Sequence, residues 1–314
     1  MYRLFRPAAL VLTLAILPLS GCLIRTERAV TRVSTAKLQD ATLDQLVGII
    51  NNEAARLQTF VATVDIDFSA GGAKKGKVTD YTQVSGYILV RKPENMRMVV
   101  KAPVVRTNLV DMVSNGRSFR LSVPAKNEFF VGSNQIAKPS DQPLMNLRPQ
   151  HILDALLLKP VDPEKEIAVL EQSTEIVKDA KTHKSAEEAN YVVLVIERDP
   201  QGSFLSRKIV FSRVDLLPHE QYVYDRQAQL VTFARYDNFA DHGGLMFPEI
   251  IDIQRPIEEY AFRLTVEKLR LNEPLEDGQF LLTQPAGSKL VNLDEQNTSA
   301  QIRPESKDVV KDPQ

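Results

Sequence analysis

From about Phe60 to Asn272 the chain is a succession of short runs with apolar residues at alternate positions, punctuated by turn residues. Successive side chains on a strand point to opposite faces, so this spacing makes half-buried β-strands. A first group covers residues 60–68, 84–91, 97–101, 108–113, 118–123 and 128–131. Within it, Asn115-Gly116 separates two runs as a hairpin turn, since both residue types tolerate positive φ. A second group covers 191–198, 204–214, 219–225, 230–239, 245–254 and 259–272, with 167–176 as a further strand. The charged stretch 178–190 reads as a mobile hairpin loop. In the last run Tyr260, Phe262, Leu264 and Val266 share one face, and the apolar parity then switches to Leu269 and Leu271 across Lys268. A phase switch without a break predicts a β-bulge, which bends a strand.

Two stretches follow helical spacing instead. Over 42–59, Leu43, Leu46, Val47, Ile50, Ala54 and Leu57 recur at three- and four-residue intervals. Thr42 is placed to cap that helix, with Gln45 as its capping-box partner. Residues 147–158, with His151, Ile152, Ala155, Leu156 and Leu157, predict a second helix, which Pro160 and Pro163 end. About ten or eleven antiparallel strands and two helices, with no parallel βαβ rhythm, predict a mainly β fold with some α. The expected architecture is a curved antiparallel half-barrel covered by the amphipathic helices. Such a sheet encloses apolar volume, the physical form of a lipid-binding cavity.

The amino terminus has a separate logic. Arg3 and Arg6 precede about a dozen mostly apolar residues, a length that suits a signal-peptide core and is too short to span a bilayer. The stretch ends in Leu19-Ser20-Gly21-Cys22, which holds the only cysteine and resembles a bacterial lipobox. Lipidation of the Cys22 thiol and cleavage before it would leave an acyl-anchored body. An ordinary secretory signal with an incidental cysteine is the alternative. The expected organisation is a lipoprotein signal peptide over 1–21, a lipidated, solvated linker over 22–39, a lipid-binding domain over 40–292 and a disordered tail over 293–314.

The whole chain carries a net charge of −1, and loss of Arg3 and Arg6 with a leader makes the remainder slightly more acidic. Nothing in that balance draws it to nucleic acid, and its basic residues are not interleaved with aromatics. The four histidines, His151, His183, His219 and His242, lack metal-ligand spacing. Asp237, Asp241 and His242 lie beside Gly243-Gly244, which reads as a loop. Ser203 and Ser206 sit in no nucleophile elbow, and Gly71-Gly72 precedes no helix that would cradle a phosphate. The expectation is no catalysis, no metal and no cofactor.

Three further stretches carry a likeness. Residues 85–93 (Ser-Gly-Tyr-Ile-Leu-Val-Arg-Lys-Pro) lead into Met96-Arg97-Met98-Val99-Val100-Lys101-Ala102-Pro103 after the first helix. Tyr224-Asp225 lead through to Phe247-Pro248-Glu249-Ile250. Leu269-Arg270-Leu271-Asn272-Glu273-Pro274-Leu275, then Asp277, Phe280 and Pro285-Ala286-Gly287, close the series. In that order the chain resembles the LolA/LolB superfamily of periplasmic lipoprotein carriers and outer-membrane lipoprotein receptors, over about 40–292. Its receptor branch is itself lipidated, so Cys22 favours a membrane-tethered member. The chain departs from the pattern in having no Trp and in its extra length at 135–190.

The resemblance implies acyl chains of lipoproteins or lipids as ligand, the outer membrane as anchor through the N-terminal lipid, and a soluble periplasmic carrier as partner. Leu23, not Asp, follows Cys22, which fits outer-membrane sorting. The cavity-lining candidates are Ile50, Leu57, Phe60, Tyr87, Leu89, Met96, Met98, Phe119, Leu121, Phe211, Phe233 and Phe262; each also suits an ordinary packed core. Val104 and Val105 match the loop that delivers acyl chains to the membrane, and equally suit a hairpin packed on the core. Arg91 matches the arginine that latches a helical lid, and equally a solvated strand-end arginine. The same fold also occurs in an envelope stress sensor, and a structural envelope lipoprotein is a third reading.

Overall fold

The computed structural model describes residues 32–33, 37–72, 76–103, 107–135, 143–178 and 185–294. The chain divides into two compact units. The smaller combines Met1–Ala36 with Thr174–Glu188, and in it strand β1 (Arg32–Val33) pairs in parallel with Ala186 and Glu187. The larger combines Lys37–Ser173 with Ala189–Gln314.

In the larger unit Thr42 caps helix α1 (Leu43–Arg56) through a capping box with Gln45, as its spacing predicts. The helix ends sooner than residue 59, because the Leu57 N–H bonds back to Glu53 and the chain turns extended. A meander then follows: β2 (Thr59–Gly72), β3 (Lys77–Arg91), β4 (Asn95–Lys101), β5 (Asn108–Asn115), β6 (Ser118–Val123) and β7 (Glu128–Ser133). Each pairs antiparallel with the next. Gly116 makes the β5–β6 turn at φ +84°, a conformation costly for residues with a Cβ. Helix α2 (Pro149–Leu156) opens on a proline at its first position and is shorter than 147–158.

Strand β8 (Glu166–Lys178) precedes a second meander of β9 (Ser185–Asp199), β10 (Gly202–Ser212), β11 (Pro218–Tyr224), β12 (Leu230–Asp241), β13 (Met246–Arg255) and β14 (Tyr260–Leu271). Strand β14 pairs antiparallel with β2 and so joins the two meanders. Strand β15 (Lys289–Asn292) returns to lie parallel to β7. The sheet thus has 15 strands, more than ten or eleven, and two of its pairings are parallel. Strands β1 and β15 lie outside the runs that alternation marks; each is short and pairs with residues far away in the chain, and β9 begins at Ser185, within the stretch read as a loop. The bulge expected across Lys268 is present as a register shift between Val266 and Lys268.

Most of the apolar residues facing one side of this sheet form a single cluster. It takes in Ile66, Ile88, Met98, Met112, Phe130 and Val291 together with Ala234, Ile251 and Leu264. Laid flat, the strands from β12 round to β15 would hold their ends roughly 40 Å apart, so one continuous cluster requires a curved sheet. Ile152, Leu153, Ala155 and Leu156 of α2 belong to the same cluster. A second cluster packs Leu46 and Ile50 of α1 against Tyr191, Val193, Val195, Ile209 and Phe211.

Candidate functional site

The C-terminal half of α1, the Lys92-Pro93 turn, α2 and residues 157–160 border a cleft of about 500 Å³. Its apolar wall is Ala54, Ala55, Leu153, Leu157 and Leu158; Asn51, Gln58, Lys92, Gln150, Asp154 and Lys159 are its polar members. That volume falls within the range of small-molecule sites. An adjoining pocket of about 50 Å³ shares Ala54, Lys92, Leu157 and Leu158, and adds Glu53, Leu57, Leu156, Tyr236, Phe239, Leu245 and Phe247.

Lys92 ties this region together. Its Nζ donates to the Ala54 carbonyl on α1, and its backbone N–H donates to Gln58 at 2.9 Å. Burial holds its ammonium below the usual lysine range. Arg56 fixes the same end of the helix by donating to the Gly244 carbonyl at 2.7 Å. Glu53 faces the smaller pocket, and burial pushes its carboxyl up to about 7, with Arg56 opposing. Asp154 stays solvent-accessible on the cleft wall, yet surrounding protein raises its carboxyl, opposed by the Gln150 amide at 2.7 Å.

Beneath α2 lies a polar group that hydrophobic patterning does not reveal. Arg148, at 1% exposure, donates from Nε to Ser133 at 2.9 Å and from Nη1 to Met145 and Leu147 at 2.7 and 3.0 Å. Its guanidinium lies 4.8 Å from the Phe119 ring centroid. Nearby, buried Arg255 grips both Glu258 oxygens and bonds Thr232. His151 lies 3.4 Å from the Tyr260 hydroxyl; burial, then the charges of Arg255 and Arg148, lower it to about 2, so it is neutral.

The sequence candidates separate into distinct places. Leu57, Phe60, Met96, Met98, Phe119, Leu121 and Phe262 belong to the large apolar cluster, and Ile50 and Phe211 to the second. Leu57 also borders the smaller pocket. Leu89 is buried, while Tyr87 and Phe233 are half-buried. Strand alternation puts these three opposite Ile88, Val90, Ala234 and Tyr236, on the face away from the large cluster. Phe233 meets Tyr222 there, with ring centroids 4.8 Å apart and planes tilted by 45°. Val104, Val105 and Cys22 lie outside the described residues.

Arg91 does not meet the expectation of a helix latch. It donates to the Leu275 carbonyl at 2.9 Å and to Asp277 at 2.6 Å, and lies 4.9 Å from the centre of the Phe280 ring. Its residue parity carries its side chain away from the helices, onto the closing segment. The side chain that reaches α1 is its neighbour Lys92. The Leu156-Leu157-Leu158-Lys159-Pro160 run was the one sequence signal for the cleft wall: three leucines extend beyond the stripe that one buried helix face needs.

Among the described residues no group of three or more His, Cys, Asp or Glu is placed to hold a metal. Nor is any described helix long and apolar enough to cross a membrane.

Fold and cleft together define a protein built on an open, curved, largely antiparallel sheet, with two amphipathic helices and an apolar cleft beside them. No family model matches the sequence, and no curated protein matches it. Solved structures do. The chain is similar to a LolA superfamily protein from Nitrosomonas europaea, at 15% identity over 77% of this chain and 99% of that one, with a TM-score of 0.46. It is also similar to a DUF1329 family protein from Desulfovibrio piger, at 18% identity over 76% of this chain and 95% of that one, with a TM-score of 0.50. A third is a putative outer membrane lipoprotein-sorting protein domain from Vibrio parahaemolyticus, at 13% identity over 76% and 97%, with a TM-score of 0.44. At these identities the likeness concerns the fold.

Proposed function

We propose that this protein is a membrane-anchored, periplasm-facing lipid-binding protein that accepts acyl chains, in the manner of a lipoprotein receptor. The observation that carries the reading is the cleft beside α1 and α2, whose leucine wall leads to the large apolar cluster. Each methylene removed from water contributes about 0.8 kcal/mol, so one long acyl chain outweighs a substantial ordering cost. The motif order at 85–103, 224–250 and 269–287 supports the same reading.

In this scheme the helices cover the sheet, and α1 swings to admit hydrocarbon when Lys92 releases Ala54. Leu57, Phe60 and Phe262 would form its bed. Cys22 carries the anchor, Leu23 directs it to the outer membrane, and Val104 and Val105 deliver chains to the bilayer. A soluble periplasmic carrier would hand over the cargo. The test is gentle extraction of the full chain from native membranes, followed by mass spectrometry of what remains bound. Stoichiometric co-purifying lipid or lipoprotein is the expected result. Lipid-free protein that also takes up no acyl chain from vesicles overturns the proposal. Val104→Asp with Val105→Asp should impair transfer to vesicles while leaving the fold intact.

A further inference from the structure

We infer that the cleft beside α1 and α2 selects an amphiphile whose polar end is anionic, a proposal that rests on the lipid-binding reading above. Two lysines, Lys92 and Lys159, line the same cavity, and neither has an ion-pair partner among the described residues. Lys92 is satisfied only by the neutral carbonyl of Ala54. Lys159 is exposed, and its backbone is held in place because Arg207 donates to its carbonyl. One carboxylate, Asp154, lines the cleft; it accepts the Gln150 amide and feels the charge of Lys159, without a close ion pair between them. Glu53 lies in the adjoining pocket, where burial pushes its carboxyl up to about 7, so it is half-neutral at physiological pH.

Cationic groups therefore stand beside a leucine wall. Hydrocarbon against Leu153, Leu157 and Leu158 with a carboxylate or phosphate near the ammonium groups satisfies both surfaces. A fatty acid and an anionic phospholipid share that chemistry.

The experiment titrates the full mature chain with three probes of one acyl length: oleate, oleoyl lysophosphatidylglycerol and uncharged monoolein, each below its aggregation threshold. At low salt, at least one anionic probe is expected to bind about tenfold more tightly than monoolein. Preference confined to oleate assigns a carboxylate, and preference confined to the phospholipid assigns a phosphate. Lys159→Glu is expected to lower the anionic-to-neutral ratio about fivefold without shifting thermal unfolding. Equal binding of all three, or a ratio untouched by Lys159→Glu, overturns the headgroup proposal and leaves lipid binding standing. No binding of any probe overturns lipid binding itself.

Discussion

Arg97 on β4 clasps Asp111 on the neighbouring β5 through two nitrogens, at 3.0 and 2.8 Å, and gives its third to the Gln279 carbonyl at 3.0 Å. Its neighbours repeat the second part of that pattern. Arg91 holds Leu275 and Asp277, Arg120 holds Leu282, and Asn127 holds Gly287. These side chains fasten residues 275–287 across the sheet, on the face away from α2, before β15 joins β7.

Removing Arg97 should therefore cost more than one hydrogen bond. Asp111 is only 7% exposed, and Arg97→Met leaves its charge without a partner. Loss of one member of a buried pair costs about 3–5 kcal/mol; partial exposure of Arg97 reduces this to about 2–3 kcal/mol. Urea unfolding should show that loss, and Arg97→Met with Asp111→Leu should regain most of it. An unchanged midpoint in the single variant would contradict the clasp.

Arg148 makes a stricter case, since its whole guanidinium is enclosed. Arg148→Met strips Ser133, Met145 and Leu147 of their donor, and should destabilise the fold by about 3 kcal/mol. Hydrogen exchange should then speed up first in α2, whose N-cap position Arg148 occupies. Protection in α2 equal to wild type would exclude this anchoring role.

Glu53 predicts a pH dependence with a definite sign. Its carboxyl titrates at about 7 in the folded chain against an ordinary 4.5, because burial disfavours the charge. The folded state thus binds more protons than the unfolded state between these values, and stability declines as pH rises from about 5 to 7. Glu53→Gln should flatten that decline and raise stability above pH 7 by about 1–2 kcal/mol, allowing for solvent access. Parallel wild-type and variant profiles would refute it.

Cys22→Ser tests the anchor. The variant should lose incorporation of labelled palmitate and leave the membrane fraction, while its circular dichroism stays that of the wild-type body. Continued fractionation with membranes would point to attachment by another surface.

Strand positions were legible from local pattern because alternation is a property of neighbouring residues. Thr42 and Gln45 marked the start of α1, and the parity switch at Lys268 marked a bulge, on the same grounds. The long-range pairing of the sheet was not. The pairing of β14 with β2, the return of β15 to β7 and the clasp of Arg97 on Gln279 join residues far apart in the chain. No local period records such contacts.

The site divides in the same way. Residue order alone marked a basic-apolar stretch ending in Cys22, a β-rich body with two amphipathic helices, and a supply of apolar side chains. Which of those side chains lie within the core and which border a cleft was decided by tertiary structure. Phe60, Met96 and Met98 lie wholly within the cluster, whereas Leu157 and Leu158, only partly buried, border the cleft. Hydrophobicity drives burial in proportion to area and says nothing of direction. The curvature of the sheet and the placement of α1 and α2 therefore chose among residues that look alike in sequence.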